Sequence, residues 1–141
     1  MSVENGTLSP DRIKHLEFIQ AVIARLGTSS FLIKGWVLTI AAAIFAILAN
    51  RLETGIALVA LVPLIAFWLL DAYFLWQERL FRCLYDDVRQ PDSTVELMSM
   101  NTAPYVAAKR WRAATFSATL MLFYGGLVGV DLVLITIAAT R

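Results

Sequence analysis

The sequence predicts an all-α fold: an integral membrane protein with three transmembrane helices, an N-terminal amphipathic helix and a cytoplasmic helical extension of the second span. Three observations carry this expectation. Of 141 residues, 59% are hydrophobic and only 16% charged, against about 45–50% and about 25% in soluble domains. The apolar excess lies in three blocks, each long enough to cross a bilayer core of about 30 Å. The basic residues gather on one side of those blocks. A disordered chain, a disulfide scaffold and an ordinary soluble enzyme are excluded by this composition.

The chain divides into four stretches. Residues 1–30 are read as a cytoplasmic N-terminal segment. The opening six residues lack a basic region followed by an apolar core, so no cleavable signal peptide is expected. Ser9, Pro10 and Asp11 supply an N-cap, a first-turn proline and an acid at the positive end of the helix dipole. Ile13, Leu16, Ile19, Val22, Ile23 and Leu26 then recur at helical spacing, and Gly27 is the expected stop. Thr28, Ser29 and Ser30 are expected to cap the next helix. His15 falls on the polar side and is read as solvated.

Residues 31–76 form the expected transmembrane hairpin, with spans over about 31–49 and 55–76. Lys34 interrupts the first and Asp71 the second. Only residues 50–54 separate them, so the two run antiparallel around Leu52. Lys34 and Asp71 stand at nearly equal distances from that midpoint, which places them at one depth as an intramembrane ion pair, within or between chains. Pro63 can kink the second span.

Residues 77–112 are expected to form a cytoplasmic stalk and a short helix. No Gly or Pro interrupts 77–90, so the second span continues as one helix up to the residue before Pro91. The stalk residues Arg79, Phe81, Arg82, Leu84, Asp86 and Asp87 are candidates for cytoplasmic interactions. The Asp86–Asp87 pair is read as a solvated face beside Arg82 and Arg89. Ser93 followed by Glu96 resembles a capping box and predicts a helix over 94–100.

Residues 113–141 contain the third span, over about 113–139, broken by Asp131. Asp131 is expected toward the outer leaflet, with Arg51 in the outer turn as nearest partner or, in a ring of subunits, as an acid at a pore mouth. Gly125 and Gly129 have the GxxxG spacing that lets helices approach closely. Trp36, Trp76 and Trp111 fall near span ends, and the deeper Trp68 is expected to pack against another helix.

Orientation follows from the basic residues. Arg12, Lys14, Arg25 and Lys34 lie before or at the start of the first span; Arg79, Arg82, Arg89, Lys109, Arg110 and Arg112 lie between the second and third. The positive-inside rule puts the N-terminus and the long connection in the cytoplasm and the C-terminus outside. A net charge of +1 gives no basic excess for nucleic acid, and Cys83, the single cysteine, cannot form an internal disulfide. No catalytic constellation, cofactor motif or metal-ligand spacing appears, so no enzyme activity, cofactor or metal is expected.

Two stretches, Phe31-Leu32-Ile33-Lys34-Gly35-Trp36 and Phe67 through Arg82 (FWLLDAYFLWQERLFR), resemble a family of small multi-span bacterial inner-membrane proteins, over about residues 18–90. The resemblance implies an inner-membrane location, with the C-terminus periplasmic or extracellular, and brings no catalytic residue. In size and architecture the chain is also similar to small membrane-disrupting effectors of anti-phage systems. The expected partners are the lipid bilayer, further copies of the chain in a homo-oligomer, and a cytosolic protein. The expected function is a pore-forming or membrane-perturbing component, a defence effector controlled through its cytoplasmic helices. The alternative is a membrane anchor or adaptor that recruits a cytosolic partner.

Overall fold

The computed structural model describes residues 8–51 and 53–140; residues 1–7, Leu52 and Arg141 lie outside the described residues, and with them the signal-peptide reading and the hairpin midpoint. The described residues are mostly helical, with no strand among them. Four α-helices follow in order: α1 (Pro10–Asn50), α2 (Thr54–Val88), α3 (Trp111–Thr115) and α4 (Ala118–Ala139). Three of them, α1, α2 and α4, are long and apolar enough to cross a membrane. A 3-10 turn, Ala103–Tyr105, lies in the connection between α2 and α3.

Helix α1 begins where its caps require. Pro10 opens it and the Ser9 hydroxyl accepts from the Arg12 N–H at 3.3 Å, covering one of the donors a helix start leaves free. It then runs unbroken for 41 residues, about 60 Å at 1.5 Å per residue. The expected stop at Gly27 does not occur. The Thr28 and Ser29 hydroxyls donate to the carbonyls of Ala24 and Arg25, each one turn back on α1, at 3.0 Å. Their hydroxyls therefore serve the existing helix instead of capping a new one. A separate N-terminal helix joined by a break is thus replaced by one continuous rod.

Helix α2 returns antiparallel to α1 and is the central element, packed on α1, α3 and α4. It passes through Pro63 without ending and continues to Val88, so the 77–88 stretch is the same helix as the apolar part before it. Two cores line this rod. In the apolar half Ile33, Val37 and Ala41 of α1 meet Leu64 and Ala72 of α2 and Leu120 and Tyr124 of α4. In the polar half Leu16, Ile19 and Ile23 of α1 meet Leu84 and Val88 of α2, with Phe81, Tyr85, Val95 and Tyr105 packed alongside.

The connection after α2 differs from its expectation. Residues 94–100 form no helix. The Ser93 hydroxyl instead donates to Asp87 and accepts from the Val95 N–H, closing a local turn. A second turn closes from the Ser99 N–H to the Glu96 carbonyl, with Met98 at φ 64°, the left-handed region. The third apolar block is also interrupted. Helix α3 ends at Thr115 and α4 begins at Ala118, so Phe116 and Ser117 form a corner. Side chains of α2 hold that corner. Trp68 Nε1 donates to the Thr115 carbonyl at 3.1 Å, Arg79 to the Ala113 carbonyl at 2.9 Å, and Trp76 Nε1 to the Lys109 carbonyl at 2.7 Å. The Ala113 and Thr115 carbonyls belong to the last turn of α3, where a helix end leaves them unpaired, whereas Lys109 lies in the segment just before α3. Trp68 also meets Phe116 edge-to-face, with centroids 6.0 Å apart.

Candidate functional site

The most concentrated polar chemistry within the apolar half joins all three long helices. Asp71, fully buried on α2, accepts from Lys34 Nζ at 2.5 Å, from the Ser30 hydroxyl, and from the Tyr124 hydroxyl at 3.2 Å. Lys34 Nζ also donates to Ser30 Oγ at 2.9 Å, one helical turn before it on α1. The Tyr124 hydroxyl lies 3.3 Å from the Phe67 carbonyl as well. The charge of Asp71 is thus matched by one ammonium and engaged by two hydroxyls, the satisfaction a buried carboxylate needs.

Lys34 and Asp71 are paired within the chain. Ser30 and Tyr124 join the cluster although the sequence analysis does not place them there. Its position after Gly27 suggests a helix cap for Ser30, whereas its i, i+4 spacing to Lys34 puts both on one helix face. Tyr124 lies inside an otherwise apolar run, and a tyrosine hydroxyl so placed generally finds a partner.

A second network closes the polar half. The Arg12 guanidinium on α1 donates to the carbonyls of Val88 and Gln90 at the end of α2, at 3.4 and 3.2 Å, and of Ser93 at 3.4 Å. It is a cation on the negative end of α2. His15 is buried, not solvated: its Nε2 lies 2.8 Å from the Ser99 carbonyl. A carbonyl only accepts, so Nε2 carries the proton. The loop 92–102 covers a histidine that helical periodicity alone puts in water. Asp87 likewise leaves the solvated face expected for it, accepting from Ser93 and, at 2.7 Å, from the Tyr105 hydroxyl. Burial, and then the adjacent Asp87 carboxylate, push Tyr105 up to about 12. Asp86 stays exposed, with Arg89 Nη2 4.0 Å away.

The other stalk candidates separate. Leu84 is fully buried and Phe81 packs beside it against α1. Arg79 holds the α3 carbonyl, and Arg82 turns back to Glu78 on its own helix, at 3.0 and 2.7 Å.

In the far part of the apolar half Asp131 is buried on α4 with neither carboxylate oxygen hydrogen-bonded among the described residues. It does not meet Arg51, which is exposed at the end of α1, and it faces the chain's interior instead of an outer surface. Gly125 and Gly129 have the opposite placement. Both are exposed, and a methyl group added at either would meet nothing within 4 Å, so they do not pack within the chain. An open groove of about 810 Å³ runs between α1 and α4, lined by Leu38, Leu122, Phe123, Leu127 and Val130, with Lys34 at one end. Among the described residues no three His, Cys, Asp or Glu side chains are placed to hold a metal ion together.

No family model matches the chain, and neither does any curated protein or solved structure.

Proposed function

We propose that the chain is an oligomeric component of the bacterial inner membrane that perturbs the bilayer under control of its cytoplasmic helices, a defence effector in kind. The observation that carries this reading is continuity. Helices α1 and α2 each run without a break from the polar half into the apolar half, and the Ser30–Lys34–Asp71–Tyr124 cluster ties both to α4 just inside that half. A displacement of the polar half is then transmitted to the spans as a rigid-body motion, since packed helices shift as units. The outward side chains fit lipid: Phe31, Trp36, Val59, Val62 and Leu122 are all more than half exposed. The bare glycine face of α4 is available for close contact with another copy.

The membrane-anchor reading has an observation of its own. Asp71 and Asp131 face inward, so the ionisable groups of α2 and α4 in the apolar half give no charged lining to an outer face. Uptake of an impermeant dye by bacteria expressing the chain separates the two readings. Leakage on expression, or on activation through the polar half, is expected for the perturbing component. A membrane that stays sealed while a cytosolic protein co-purifies with the chain establishes the anchor.

A further inference from the structure

We propose that Asp131 is a proton-binding site, holding a proton between α2 and α4 while those helices are packed. This rests on α4 being a membrane span. Asp131 is 0% exposed, and neither carboxylate oxygen has a hydrogen-bond partner among the described residues. An ionised, unpaired carboxylate buried in apolar surroundings costs several kcal/mol, and such a group takes up a proton instead.

No neighbouring element supplies a counter-charge. Residues 35–50 of α1, residues 54–70 of α2 and the rest of α4 contain no Lys, Arg, His, Asp or Glu. Over residues 54–70 the buried α2 residues are Ala57, Ala60 and Leu64, none with a polar side chain, and Asp71 beyond them is engaged by Lys34, Ser30 and Tyr124. The one other titratable group on these segments, Tyr124, lies about two turns away along α4, and its hydroxyl is engaged by Asp71 and Phe67. Arg51 and Glu53 are exposed at the turn. Proton loss would leave a bare charge between α2 and α4 and drive them apart; proton gain seats them again. The ligand is the proton itself, and the device reads the pH reaching that half of the membrane.

Dicyclohexylcarbodiimide tests this on the full chain in native membranes. It adds to a protonated carboxyl in apolar surroundings: the O–H proton passes to a carbodiimide nitrogen and the carboxyl oxygen bonds its central carbon. Peptide mass spectrometry is expected to find the adduct on Asp131 at neutral pH, fading as pH rises, unaffected by sodium or lithium and absent in Asp131→Asn. Protection by sodium or lithium overturns the proposal in favour of a cation site.

A second measurement avoids dependence on reagent access. Because the packed state holds a proton that the unfolded state has released, stability falls as pH rises. In detergent the melting temperature of the wild type is therefore expected to fall from neutral to mildly alkaline pH, below the range where Tyr105 ionises. Asp131→Asn is expected to match the wild type at the acid end and to lose that slope. A flat wild-type profile with a destabilised Asp131→Asn overturns the proposal, because it marks an ionised, paired carboxylate. Release of the chain from membranes by alkaline carbonate would show that α4 does not span, which is a failure of the membrane reading and distinct from both outcomes.

Discussion

Lys34 and Asp71 lie 37 residues apart, yet the ammonium of one is 2.5 Å from the carboxylate of the other, with Asp71 fully buried and the Lys34 side chain 21% exposed. The turn between α1 and α2 brings them to one level, and two hydroxyls complete the shell of Asp71. Removing one partner of a buried pair strands the other charge, at about 3–5 kcal/mol. The partial exposure of Lys34 puts its loss at the lower end of that range. Lys34→Ala and Asp71→Ala are each expected to lower the melting temperature in detergent, and the double variant to lose clearly less than their sum. Additive losses in this cycle would show that the pair is not coupled.

Arg12 and His15 fasten the loop after α2 from the α1 side. Arg12→Ala strips the guanidinium from three carbonyls, and His15→Ala leaves the Ser99 carbonyl unpaired; each is expected to cost about 1–3 kcal/mol. Limited proteolysis should cut within 89–102 faster in both variants. Arg12→Lys is expected to restore only part of the protection, since an ammonium cannot reproduce the guanidinium fork. Unchanged cleavage would show that the loop is held by other contacts.

Tyr105 gives the polar half a pH limit. Its phenol is pushed from an ordinary value of about 10 to about 12. A raised value in the folded state means the stabilisation is complete below about pH 10 and is lost as pH rises through about 12. Ultraviolet titration of the phenolate is expected to show a late-ionising tyrosine outside the spans that disappears in Tyr105→Phe. That variant should also lose about 1 kcal/mol at neutral pH, the worth of one hydrogen bond.

Gly125 and Gly129 test association apart from folding. Nothing lies within 4 Å of a side chain built at either position, so Gly125→Ile and Gly129→Ile are expected to leave the melting temperature of the single chain nearly unchanged. Chemical crosslinking in membranes should nonetheless show fewer oligomers, because the bulk blocks close helix approach. Crosslinking equal to wild type would show that this face of α4 makes no contact between copies.

The long apolar helices were legible because hydropathy over about 20 residues depends on composition alone. The meeting of Lys34 with Asp71 was legible because a tight antiparallel turn converts sequence distance into depth. What stayed hidden depends on contacts remote in sequence. Thr28 and Ser29 look like helix caps until their hydroxyls are seen on the carbonyls of Ala24 and Arg25. His15 looks solvated until residue 99 closes over it. The corner at Phe116–Ser117 contains neither Gly nor Pro; Trp68 and Arg79 of α2 take the carbonyls it frees. Ser93 and Glu96 have capping-box spacing, but Ser93 is drawn to Asp87 and Val95 instead.

On the proposed function, the polar half governs what the apolar helices do to the membrane. Dye release from liposomes containing the purified chain tests it most directly, comparing wild type with Arg12→Ala and Lys34→Ala. Release is expected to depend on the chain and to change at least several-fold in these variants, whose substitutions loosen the polar half and its junction with the apolar helices. Liposomes that stay equally sealed with all three proteins, each shown to be inserted, would contradict it.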